Sequence, residues 1–114
     1  MSGIVGHMDT ITTEQFGGSP GVEDWQATET GAYARFNTED FATGAKLFSA
    51  IAELAERANH HPDVDVRYSA VRVKLFTHSA DGLTAKDAEL AAEISRAARD
   101  LGVEADADNP EREI

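Results

Sequence analysis

Three of the four histidines in this 114-residue chain fall in one short span: His60 and His61, followed by Pro62, and then His78 after Thr77. Imidazole is the side chain whose ordinary pKa lies nearest neutrality, so it both gives and takes protons under cellular conditions. Three imidazoles gathered by one fold make an acid–base site that needs no metal. The same three would also fill three positions of a catalytic zinc, with the fourth left to water. Against zinc, neighbouring residues on an extended segment project to opposite sides, which makes joint ligation of one ion awkward. In a third reading, His60 and His61 only complement the dipole of a preceding helix. The residue types alone leave all three open. Other chemistries have less to stand on. There is no cysteine, hence no thiol nucleophile, disulfide framework or cysteine-bearing zinc site. Glycine-rich nucleotide fingerprints and a nucleophile elbow are absent. Ser79 directly follows His78, the wrong arrangement for a nucleophile–base pair.

The elements that would position these residues can be read from periodicity. Asn37 is a candidate helix N-cap with Asp40 three positions on. Phe41, Ala45, Phe48, Ala52 and Ala55 then recur at helical spacing, and Leu47, Ile51, Leu54 and Ala58 widen the stripe, which predicts a helix over 38–58. Pro62 stops it and pushes the preceding residue toward an extended backbone, so His60 and His61 sit on the turn into a strand. Val64, Val66 and Tyr68 alternate with charged residues, as do Val71, Val73 and Leu75, so two strands are expected, joined at Ser69-Ala70. Antiparallel pairing brings His78 to the strand end that His60 and His61 open. Thr84, with Asp87 at the third helical position, starts a second helix, Leu90 to Leu101, closed by Gly102. Upstream, Trp25–Thr28 and Tyr33–Phe36 read as strands around a Glu29-Thr30-Gly31 turn, and only a stub helix, Thr13–Phe16, fits before the Gly17–Gly21 loop. The expected fold is therefore α+β: a four-stranded antiparallel sheet with helices packed on one face, in the order (α)-β-β-α-β-β-α with a short first helix.

Length sets one domain, here 13–102, between a flexible segment 1–12 and an acidic, mobile tail 103–114. Gly6-His7-Met8 reads as a cloning remnant, so His7 carries no role. A formal charge of −11 opposes direct nucleic-acid binding. With lysine only at 46, 74 and 86, that surface fits adaptation to high salt or plain solubility. No apolar run reaches a membrane span and no signal peptide is visible, so a cytoplasmic protein is expected.

These residues resemble the pterin-4a-carbinolamine dehydratases. The family pattern is a charged residue four before His-His-Pro, here Glu56 and His60-His61-Pro62. An aromatic follows, here Tyr68, then Thr-His at Thr77-His78 and an aspartate after Gly-Leu-Thr at Asp87. Looser likeness runs from Trp25 to Ala97. The resemblance implies dehydration of 4a-hydroxytetrahydropterin to quinonoid dihydropterin, a recycling step serving aromatic amino acid hydroxylases. It implies no metal and no organic cofactor, and a homodimer or homotetramer. A protein partner is implied too, since an animal relative is a dimerisation cofactor of a homeodomain factor. By the resemblance, His60 and His78 are the acid–base pair, and His61 binds the pterin or serves as a second acid. The substrate-binding set is His60, His61, Pro62, Thr77, His78, Ser79 and Ala80. Glu56 orients an imidazole and Asp87 does the same for His78, although Asp87 is also explained as a capping residue. Two departures stand out: Val64 replaces an aromatic two residues after the proline, and the first helix is short. They motivate the alternative of an interaction or assembly module without turnover.

Overall fold

The computed structural model describes residues 9–106. Expectations for 1–8, His7 included, and for 107–114 lie outside the described residues.

Within that span the chain runs α1 (Thr13–Gly17), β1 (Gln26–Thr28), β2 (Gly31–Asn37), α2 (Phe41–Ala58), β3 (Asp63–Val66), β4 (Ala70–Leu75), a 3-10 turn (His78–Ala80), α3 (Ala85–Asp100) and β5 (Glu104–Ala105). All strand pairs are antiparallel in the order β1-β2-β4-β3, and β5 also pairs with β2. The α+β class and element order are those expected, with one strand more. Val103 is buried, Glu104 and Ala105 pair with Asn37 and Phe36, and the Asp106 N–H donates to the Arg35 carbonyl. The segment 103–106 is thus part of the sheet rather than of a tail. At the other end, Thr10 bridges Thr84 and the Ile11 N–H donates to the Leu83 carbonyl, so the ordered unit begins before Thr13.

Alternation decides the sheet's faces. Ala32, Ala34 and Phe36 on β2 and Val71, Val73 and Leu75 on β4 turn inward to meet Leu47 and Ile51 of α2 and Leu90 and Ile94 of α3. The intervening Tyr33 lies on the other face, with the Arg72 guanidinium 5.1 Å from its ring centroid. Two local expectations shift. The β1–β2 turn is Glu29-Thr30, and Gly31 opens β2 at φ +146°, where a Cβ would sit 2.8 Å from the Leu75 carbonyl oxygen. The β3–β4 turn is Tyr68-Ser69, closed by an Arg67 N–H to Ala70 carbonyl bond of 2.9 Å. Tyr68 therefore sits exposed at the tip, not in the strand.

Helix α2 starts three residues later than its sequence signal. Asn37 stays in the sheet opposite Ala70, so its side chain does not cap. Asp40 caps instead, accepting the Thr43 N–H at 2.7 Å. That backbone bond, with the Thr43 side-chain bond second, holds the Asp40 carboxyl below its ordinary value. Its contribution to the cap is therefore present once the carboxylate is ionised, and is lost as the pH falls through the lowered value. The broad apolar stripe also resolves into two. Gly44, Leu47, Ile51 and Ala55 face the core, while Phe41 and Phe48 are 57% and 45% exposed. Helix α3 ends as expected, with Gly102 at φ +74° and the Val103 N–H on the Ala98 carbonyl.

A buried side-chain hydrogen bond ties the segment before β1 to α3, from Trp25 Nε1–H to Ser95 Oγ at 2.9 Å. Ser95→Ala orphans that donor. The expected result is a loss of about 1–3 kcal/mol, read as a lower urea midpoint with unchanged slope.

Candidate functional site

His60 leaves α2 through a reversal that the local sequence arranges. Asn59 adopts the left-handed region (φ 52°, ψ 45°), which asparagine tolerates better than most residues. The His60 N–H then turns back onto the Ala55 carbonyl at 3.0 Å, and Pro62 prevents any further helix. The strand register, with Asp63 opposite Lys74, carries His60–Pro62 and Thr77–His78 to the same end of the β3–β4 hairpin. That much was legible from the alternation.

At this end His60 Nε2 lies 2.6 Å from Asp87 Oδ1. The Asp87 side chain is fully buried and that of His60 is 11% exposed. The second carboxylate oxygen, Oδ2, accepts the Thr77 hydroxyl at 2.7 Å and the Thr84 N–H at 2.9 Å. The Thr77 and Thr84 hydroxyls are themselves 2.9 Å apart. A buried carboxylate needs such partners, and this one has three. An ionised carboxylate only accepts, so with Asp87 ionised Nε2 carries the proton of the shared bond and Nδ1 is the nitrogen left to exchange protons. Asp87 thus combines both sequence readings. One oxygen caps α3 and the other fixes an imidazole. The imidazole is that of His60, however, not of His78 as expected.

His61 points elsewhere. Its Nε2 is 2.7 Å from Glu56 Oε2, one turn back on α2, and both groups are exposed. Glu56 is thus hydrogen-bonded to an imidazole, that of His61. The two adjacent histidines diverge, one toward α3 and one toward α2, as an extended backbone dictates. His78 opens the 3-10 turn and is exposed. Its ring meets Phe76 edge-on with centroids 5.2 Å apart. Among the described residues no group of three or more His, Asp or Glu is placed to hold a metal ion.

A cavity of about 240 Å³ opens beside this end of the hairpin. The α2 side of it is formed by Phe48, Ala52 and Glu56, and the strand side by His61, Pro62 and Val64. Of the expected substrate-lining set, His61 and Pro62 are on this wall. His60, Thr77, His78, Ser79 and Ala80 are not. Thr77 is buried with its hydroxyl committed to Asp87 and Thr84, which makes it a support for the carboxylate. Phe48 was hidden among the stripe residues assigned to the core, because its spacing is equally that of a core position. A larger groove of about 880 Å³, between the segment Ile11–Gly21 and α3, holds none of the histidines.

Residues 9–97 match the family model described as pterin 4 alpha carbinolamine dehydratase. A provisionally named pterin-4-alpha-carbinolamine dehydratase of Nocardia farcinica is 42% identical over 76 residues, covering 67% of this chain and 80% of that protein. One of Mycobacterium leprae is 37% identical over 90 residues, covering 78% and 96%. Among solved structures, a transcriptional coactivator/pterin dehydratase from Brucella melitensis superposes with a TM-score of 0.68 at 28% identity, covering 79% of this chain and 99% of that one.

The threonine support is testable without any assay of turnover. Thr77→Val removes one donor from a fully buried carboxylate and is expected to lower stability by about 1–3 kcal/mol. Thr77→Ser keeps the hydroxyl and is expected to recover most of that loss in urea unfolding. Equal stability of the valine and serine variants would remove the hydroxyl from the account.

Proposed function

This chain belongs to the pterin 4 alpha carbinolamine dehydratase family, and on that premise we propose that it removes water from 4a-hydroxytetrahydropterin by histidine acid–base catalysis. The reaction needs two proton movements. A proton reaches the 4a-hydroxyl oxygen, the C4a–O bond breaks and water leaves. The N5 proton departs to a base as its electron pair forms the N5=C4a bond of the quinonoid dihydropterin. One proton is delivered and one recovered, so the step balances with no oxidant, reductant, metal or organic cofactor. Imidazoles near neutrality suit both transfers.

The observation that carries this reading is the His60–Asp87 pair at 2.6 Å, with the carboxylate fully buried, at the hairpin end that also bears His61 and His78. In the proposal, His60 and His78 exchange the two protons and Asp87 positions His60. His61, held by Glu56, binds the pterin beside Pro62. Ser79 and Ala80 complete the hairpin end, and Thr77 supports the Asp87 carboxylate behind it.

The proposal extends to setting. The enzyme works in the cytoplasm as a homodimer or homotetramer, recycling tetrahydrobiopterin for aromatic amino acid hydroxylases. No helix among the described residues is long and apolar enough to cross a membrane. The ring of Phe41, 57% exposed on α2, favours contact with a protein surface. It also favours the second reading, an assembly module without turnover, to which the coactivator named in the Brucella structure lends support.

Decay of 4a-hydroxytetrahydropterin over its uncatalysed rate decides between them. Wild-type protein is expected to accelerate it, and His60→Ala and His78→Ala are each expected to lower kcat by about 10²–10⁴-fold. No acceleration by the wild type, or full rates in both variants, would sink the catalytic proposal.

A further inference from the structure

We infer that Phe48 supplies the aromatic wall on which the fused ring of the pterin stacks, making it a substrate-binding and specificity-determining residue of the site; the inference rests on the pterin reading above. Phe48, Ala52 and Glu56 stand at successive i, i+4 positions and so share one face of α2. All three line the cavity that His61 and Pro62 close from the strand side. Phe48 is the one aromatic residue in that lining, and the remainder beyond Glu56 and His61 is aliphatic.

The ring has no packing reason to be there. The core-facing positions of α2 are Gly44, Leu47, Ile51 and Ala55, and Phe48 is 45% exposed beside them. Exposed aromatic area is unfavourable unless something covers it. Across from Phe48, Val64, which packs on the core and lines this same cavity, is aliphatic. A planar heterocycle offers the matching face, and aromatic surfaces pair in offset or edge arrangements. The volume is about 240 Å³, below the roughly 300–1,000 Å³ usual for drug-sized ligands. Glu56 and His61 then face the polar atoms of the ring system while Phe48 takes its π-face.

Titration calorimetry with 7,8-dihydrobiopterin tests this, run alongside the decay assay. Phe48→Ala is expected to weaken binding about tenfold, the scale of one lost aromatic–base stack. The same variant is expected to raise KM with little change in kcat. Phe48→Leu, which keeps apolar bulk without a ring, is expected to weaken binding as well, whereas Phe48→Tyr keeps wild-type affinity. Phe41→Ala, an exposed ring on the same helix outside the cavity, leaves both parameters unchanged. Unaltered affinity in Phe48→Ala would overturn the inference, as would leucine binding as tightly as tyrosine. A shift in sedimentation of Phe48→Ala with affinity intact assigns the ring to contact between copies and overturns it too. Ring-dependent binding without turnover upholds the role of Phe48 while sinking the dehydration. Wild-type protein that binds no pterin overturns both.

Discussion

The arrangement hangs on one buried carboxylate. Asp87 joins the end of α2 to the start of α3, with His60 on one oxygen and Thr77 and Thr84 on the other. A fully buried charge without partners is strongly unfavourable, so the three donors are a condition of the fold as much as of any chemistry. Removing one donor therefore disturbs two things together, the entry to α3 and the orientation of an imidazole. This sharing explains why a residue in a capping position also belongs to the site.

The hairpin adds the second constraint. Antiparallel register is specified by which side chains face the core, and a slip of one residue would turn Val64, Val66, Val71 and Val73 outward. The same register places the His60–Pro62 and Thr77–His78 segments at one end. Site geometry is thus inherited from the packing of the sheet. The divergence of His60 and His61 follows from extended backbone at a proline, and it separates the two imidazoles into different partnerships, one buried with Asp87 and one exposed with Glu56.

Helix α2 illustrates how an apolar pattern underdetermines burial. Its nine apolar stripe positions cover more than one face, yet only Leu47, Ile51 and Ala55 among them are buried, with Leu54 partly buried against the core. Phe41 and Phe48 are left outside, and Phe48 reaches the cavity. The start of the same helix moved for a related reason. Asn37 has good capping chemistry, but its backbone is held in the sheet by Ala70, and ladder pairing outweighs a local cap.

From the sequence by itself, the elements, their order, the α+β class and the gathering of histidines at a hairpin end could all be read, because period-two and helical spacings, Pro62 and Gly102 are local signals. The contact of Glu56 with an imidazole followed from the family resemblance, and the fold gave it to His61. Tertiary structure decided what local signals cannot carry. It assigned Asp87 to His60 rather than His78, a contact across 27 residues. It turned Thr77 from a substrate contact into a support, and drew residues 103–106 into the sheet beside β2. It also left Phe48 on the cavity wall. Each of these depends on which surfaces meet in three dimensions, and spacing along a chain is silent on that.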